Sequence, residues 1–108
     1  MLTMTGPVRI LCTYRPKKGK EKELLALVKN NWTTLKRAGL VTKDRAVVYR
    51  ATDKRSGRIY FVESFSWKDE AASDAAHRTP EVMAVWDAMG PLLEGMELAV
   101  IEPLSDKR

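Results

Sequence analysis

The segment Ile59 to Trp67, IYFVESFSW, constrains the fold more than any other stretch of the chain. Its aromatic and β-branched content reads as a strand, in which alternate side chains take opposite faces. Ile59, Phe61, Glu63, Phe65 and Trp67 then share one face, and Tyr60, Val62, Ser64 and Ser66 the other. The first face is apolar apart from one carboxylate, yet the second still carries Tyr60 and Val62. The same doubling recurs elsewhere: Leu11 lies opposite Ile10 and Cys12, and Ala99 and Ile101 lie opposite Leu98 and Val100. An open sheet in water normally keeps one face polar, so strands with apolar side chains on both faces belong to a sheet covered on both sides. The pattern predicts a homodimer packed sheet against sheet.

The remaining segments fix the order of elements. Val8 to Arg15 alternates as a strand and is closed by Pro16 and a turn ending at Gly19. Lys20 to Ala38 carries Leu24, Leu27, Val28, Trp32 and Leu35 at helical spacing, with Lys22, Glu23, Lys29 and Lys36 outside that stripe and Gly39 as its stop. A strand from about Ala46 to Ala51 leads through Asp53-Lys54-Arg55-Ser56-Gly57 into Ile59 to Trp67, and those turn residues predict an antiparallel hairpin. Ser66, followed three residues later by Asp69, resembles a capping box that starts a short helix through Ala76. Thr79 as a cap, Pro80 at the first helical position and Glu81 in the first turn begin another helix, striped by Val82, Val85, Trp86 and Met89. Gly90-Pro91 breaks it, and Met96 to Ile101 reads as the last strand, ending at Pro103. The order β-α-β-β-α-β, with the second helix in two pieces, is that of an α+β ferredoxin-like fold: a four-stranded antiparallel sheet with helices on one face.

Composition narrows the functional classes. At 108 residues, 44% hydrophobic and 31% charged, the chain reads as a single globular domain with its core at about residues 8 to 103. No apolar run approaches the roughly 20 residues of a membrane helix. Met1 to Pro7 lacks the basic start and long apolar stretch of a signal peptide, so the expected location is cytoplasmic. Cys12, the only cysteine, reads as a small buried strand residue. One His and one Cys leave no cluster at metal-ligand spacing, and no metal site is expected. The net charge of +5 is spread over turns and ends, including Arg15 to Lys18, Lys54-Arg55 and Lys107-Arg108, where it is usually just solvated.

Tyr14-Arg15-Pro16 with Lys18-Gly19-Lys20, Phe61-Val62-Glu63 with Trp67-Lys68-Asp69, and Ala76-His77 followed by Pro80-Glu81-Val82 resemble the antibiotic biosynthesis monooxygenase-like group of the dimeric α/β barrel proteins. The resemblance runs from about residue 8 to residue 103 and rests largely on the order of elements. It implies a homodimer whose two sheets form a barrel, and a pocket between each sheet and its own helices. Relatives in that group include cofactor-free oxygenases acting on polycyclic phenols or quinols, haem-degrading enzymes and isomerases. The haem-degrading members use an asparagine on the first strand and a histidine on the final helix. Here Val8 to Arg15 has no Asn and the helix from Pro80 has no His, so no haem and no other cofactor is expected. Fold membership implies where a pocket lies more strongly than which reaction it runs.

Candidate site residues follow from residue type and face. His77, the only histidine, stands at the joint between the two late helices, where it can act as a general base or orient a phenol oxygen. It can equally be a helix-end residue bonding a terminal carbonyl. Glu63, flanked on its face by Phe61 and Phe65, has to be paired or placed at a pocket, because an unpaired buried carboxylate is costly. Its two readings are a pocket base and an ion pair with Arg50 or Arg9, on neighbouring strands or across the dimer. Trp32, Trp67 and Trp86 are candidate walls for a planar ligand, each with core packing as the alternative. Tyr14 and Tyr49 are candidate hydroxyl contacts, with Tyr14 expected as a hydrogen-bond donor.

Three functions compete. The first is cofactor-independent oxidation of a small hydrophobic, aromatic or quinol-like compound. The second is a non-catalytic dimer that binds a metabolite or a protein partner. The third, an RNA-binding module, uses the same element order, but its aromatic pattern matches this chain only at Phe61-Val62, and an exposed stacking face conflicts with a buried sheet. No nucleic-acid partner is expected.

Overall fold

The computed structural model describes residues 6–104; the basic pair Lys107-Arg108 and the first residues from Met1 lie outside that range. The strands are β1 (Val8–Pro16), β2 (Val47–Thr52), β3 (Ile59–Trp67) and β4 (Leu93–Val100), and the helices are α1 (Glu21–Arg37), α2 (Ala71–Ala76) and α3 (Pro80–Met89). They form one antiparallel sheet in the order β2-β3-β1-β4. The ferredoxin-like expectation is met, and the third strand has the predicted limits.

Local chemistry explains the boundaries. Gly39 adopts φ 75°, and the Leu40 amide donates to the Leu35 carbonyl at 3.1 Å, a Schellman close that only a left-handed residue permits comfortably. The β2–β3 hairpin is held by Asp53, whose carboxylate accepts from the Arg55 and Ser56 amides at 2.9 and 2.8 Å. The capping box fails. Ser66 stays in β3 and its hydroxyl accepts from Arg9 at 3.4 Å, while Asp69 itself caps α2 by accepting from the Ala72 amide at 3.0 Å. Thr79 precedes Pro80 as expected, but its hydroxyl donates back to the Ala75 carbonyl rather than capping α3. β4 starts at Leu93, earlier than Met96, because the chain pairs with Pro16 across a bulge at Arg15/Pro16.

The helices cover one face. Tyr14, Phe61, Phe65, Leu24, Val28, Leu35 and Val82 are fully buried there, and each such side chain contributes roughly 1.5–3 kcal/mol by leaving water. The opposite face is uncovered in the single chain: Val47 and Tyr49 are exposed on it, beside the partly buried Leu11 and Val62. β4 overhangs the helices, so Met96, Leu98 and Val100 point to the helix side but remain exposed.

Candidate functional site

Cys12 of β1 sits opposite Glu63 of β3, so Tyr14, two residues further on the same face, is a diagonal neighbour of that carboxylate. The Tyr14 hydroxyl donates to Glu63 Oε1 at 2.5 Å, and Asn31 Nδ2 of α1 donates to the same oxygen at 3.1 Å. Asn31 Oδ1 in turn accepts from Trp86 Nε1 of α3 at 2.8 Å. An indole nitrogen only donates, which fixes the Asn31 amide with its oxygen toward Trp86 and its nitrogen toward Glu63. A continuous polar chain, Tyr14–Glu63–Asn31–Trp86, thus ties the sheet to two helices through an otherwise apolar interior.

Glu63 is fully buried, and among the described residues no cation lies within ion-pair distance of it. Burial pushes its carboxyl up from the ordinary carboxylate range, with the bonds from Tyr14 and Asn31 opposing. Within one chain the ion-pair reading is not met: Arg9 lies on the other face, where it donates to Ser64 and Ser66, and Arg50 is exposed without an ion pair among the described residues. Burial, reinforced by the neighbouring Glu63 carboxyl, also raises the Cys12 thiol to about 12 and raises the Tyr14 hydroxyl strongly. Cys12 is therefore an inert thiol, as its place on the strand suggested.

A cavity of about 310 Å³ opens between the sheet and the helices. Ile10, Cys12, Tyr14, Phe65 and Trp67 form its sheet side, and His77, Trp86 and Met89 its helix side. Met96 and Leu98 of the overhanging strand border it while still exposed, which makes β4 one lip of the mouth. Trp67 meets Phe65 edge to face at 5.1 Å, and His77 meets Trp86 likewise at 5.1 Å. His77 Nδ1 lies 2.9 Å from the Ser73 carbonyl. A carbonyl only accepts, so Nδ1 carries the proton and Nε2 holds the lone pair of the neutral ring. His77 thus closes a helix end with one nitrogen, as its second reading had it, and also borders the cavity.

The cavity gathers His77, Tyr14, Trp67 and Trp86, with Glu63 directly behind Tyr14. It leaves out Trp32 and Tyr49. Trp32 is buried on the far side of α1 under the Arg45 guanidinium, 5.3 Å from its ring centroid. Tyr49 is 59% exposed on the uncovered face, because β2 alternation places it opposite Val62. Tyr14 also differs from expectation in role: its one hydroxyl proton is committed to Glu63, so toward a ligand it offers a lone pair and accepts. Asn31 escaped the sequence reading although it stands at stripe spacing between Val28 and Leu35, and a polar residue there was the available signal. Among the described residues no group of His, Cys, Asp and Glu could hold a metal ion, and no helix is long and apolar enough to cross a membrane.

No protein-family model matches the chain, and no curated protein matches it in sequence. Solved structures do match. A variant of SnoaB, a cofactor-independent oxygenase from Streptomyces nogalater, superposes with a TM-score of 0.71 at 17% identity over 93% of this chain and 95% of that one. An antibiotic biosynthesis monooxygenase matches with a TM-score of 0.69 at 13% identity, covering 91% of this chain and 99% of its own. A dimeric ferredoxin-like protein of unknown function from Thermobifida fusca gives 0.65 at 15%, covering 92% and 93%. The chain therefore has the fold of antibiotic biosynthesis monooxygenase-like proteins. At these identities the likeness extends to the fold alone, and the chemistry rests on this chain's own residues.

Proposed function

We propose that the protein binds a flat aromatic or quinol-like compound in the cavity between sheet and helices and oxidises it with O2 without a cofactor, working as a homodimer. The observation that carries this reading is the Tyr14–Glu63 pair beneath an aromatic cavity. Trp67 and Trp86 supply flat apolar walls, and Tyr14 accepts the hydroxyl proton of a bound phenol while passing its own proton to Glu63. His77 Nε2 is the second acceptor, at the helix side of the same cavity. The resulting ring anion is electron-rich enough to reduce O2 itself. A ring C–H ortho or para to the oxygen-bearing carbon, which is the CH2 of the keto tautomer, becomes C=O. One oxygen atom is retained and the other leaves as water with the two hydrogens, so the substrate supplies all the electrons. The uncovered sheet face, with Val47, Tyr49, Leu11 and Val62, is the surface that supports pairing with a second copy.

A melting-shift panel of naphthols, anthrones and quinols, followed by oxygen uptake on the stabilising compounds, tests the reading. Uptake that disappears in Tyr14→Phe and His77→Ala supports it. Stabilisation with no oxygen consumed by any ligand would leave a binding protein and reject the oxygenase.

A further inference from the structure

Behind the aromatic cavity lies a second niche of about 230 Å³, with mixed polar and apolar lining, between α1 and the β2 side of the sheet. Glu63 borders it, together with Trp32, Thr33, Lys29, Arg45 and Val48. Two of its lining residues carry a buried polar atom without a hydrogen-bond partner: Glu63 Oε2 and Trp32 Nε1. Buried polar atoms are nearly always bonded, since leaving one unmade costs about 1–3 kcal/mol. Two such atoms on residues lining one small niche point to a common purpose. The two carboxyl oxygens differ: Oε1 already accepts from both Tyr14 and Asn31, and only Oε2 is unused.

We infer that Glu63 is a two-sided proton relay, taking a proton on Oε1 from Tyr14 and releasing one from Oε2 to water in the rear niche. The inference rests on the proton-abstracting role proposed for Tyr14. A ligand that fills the aromatic cavity blocks its mouth, so a proton taken from that ligand needs another exit. With the acid proton on Oε2, Oε1 is free to accept both bonds it makes. As Oε1 gains the Tyr14 proton, Oε2 gives its own to a water that also accepts from Trp32 Nε1. The carboxyl stays neutral throughout, which suits a buried site with no ion-pair partner among the described residues. A half-turn about the Cγ–Cδ bond then restores the starting arrangement. The ionisable groups around Glu63 are Cys12 and Tyr14 from β1 and, across the niche, Lys29 from α1 and Arg45 from the approach to β2. Arg45 is exposed and stacked on Trp32, so it is the side chain whose movement admits water.

The test is solvent exchange of the Tyr14–Glu63 hydroxyl proton, followed by NMR on the full chain, with and without 2-naphthol as the cavity probe. Ala46→Leu fills the niche from its edge, and Thr33→Leu does so from α1 should the first variant melt early. With the rear route open, 2-naphthol leaves wild-type exchange unchanged, whereas either niche variant slows it by about tenfold or more, as closing the main opening path should. Exchange that is slowed by 2-naphthol and indifferent to both niche variants overturns the relay. If 2-naphthol fails to bind, the oxidation reading suffers, but wild type against Ala46→Leu still decides the exit route.

Discussion

The two faces of the sheet arise from one alternation and end in opposite conditions. Under the helices, Glu63 needs Tyr14 and Asn31 before it can be tolerated among Phe61 and Phe65. On the uncovered face, Arg9 satisfies itself with two serine hydroxyls, while Val47 and Tyr49 stand in water. The lesson is that a polar residue in this fold is informative only under cover. There its partners are obligatory, and following them leads from the strand to Asn31 and Trp86.

The largest effect separates the faces by packing. Phe61→Ala should cost about 3–5 kcal/mol in urea unfolding, the usual loss for emptying a buried aromatic site. Val62→Ala, one residue on and on the other face, should cost under about 1 kcal/mol at low protein concentration and more as concentration rises, if a second copy covers it. A Val62→Ala cost that ignores concentration breaks the dimer half of the comparison.

Next in size is assembly. Tyr49→Glu puts a charge on the uncovered face, on its edge strand β2, and it should weaken the dimer by roughly 2–5 kcal/mol, the cost of an unpaired charge in an interface. Sedimentation equilibrium reads the change, and an unaltered circular dichroism spectrum shows the monomer still folded. A wild type that sediments as a monomer at high concentration would assign that face to a different partner.

Much of this comparison was legible beforehand. Strand alternation gave both faces, and glycine with turn residues gave the breaks at Gly39 and the β2–β3 hairpin. Which face the helices cover was not legible, because both carry apolar residues and a period of two names no side. The site was half legible. His77, Trp67, Trp86 and Tyr14 converge because each lies on the covered face or at a helix end above it. Trp32 looked equivalent by stripe position, yet helical rotation turns it to the far flank of α1, and Tyr49 follows its strand to the open side. The partners of Glu63 were missed because arginine was sought on adjacent strands, whereas the helix above supplied a neutral amide.

A smaller effect sharpens the contrast through pH. Burial raises the folded-state carboxyl of Glu63 above its ordinary value of 4.5, so the folded state holds its proton longer than the unfolded one. Stability from this group is complete below about pH 4.5 and is lost as pH rises through the higher folded value. Glu63→Gln keeps an acceptor for Tyr14 and Asn31 but cannot ionise. Its melting temperature relative to wild type should therefore climb with pH above that threshold, while Arg9→Gln on the open face shows no such trend. A gap that narrows with rising pH would mean that Glu63 is stabilised in its charged form.

The smallest effect concerns the helix side of the cavity. His77→Ala removes one exposed bond to the Ser73 carbonyl and an edge contact with Trp86, so the loss of stability should be about 1 kcal/mol. His77→Gln restores a donor for that carbonyl and should recover much of it. Ligand binding separates the structural role from the functional one: if Nε2 accepts a ligand proton, the ligand-induced melting shift falls in both variants, although only Ala lowers the unliganded melt. If Gln recovers the shift along with the stability, His77 only holds the helix end, and proton acceptance belongs to Tyr14 and Glu63, on the covered face of the sheet.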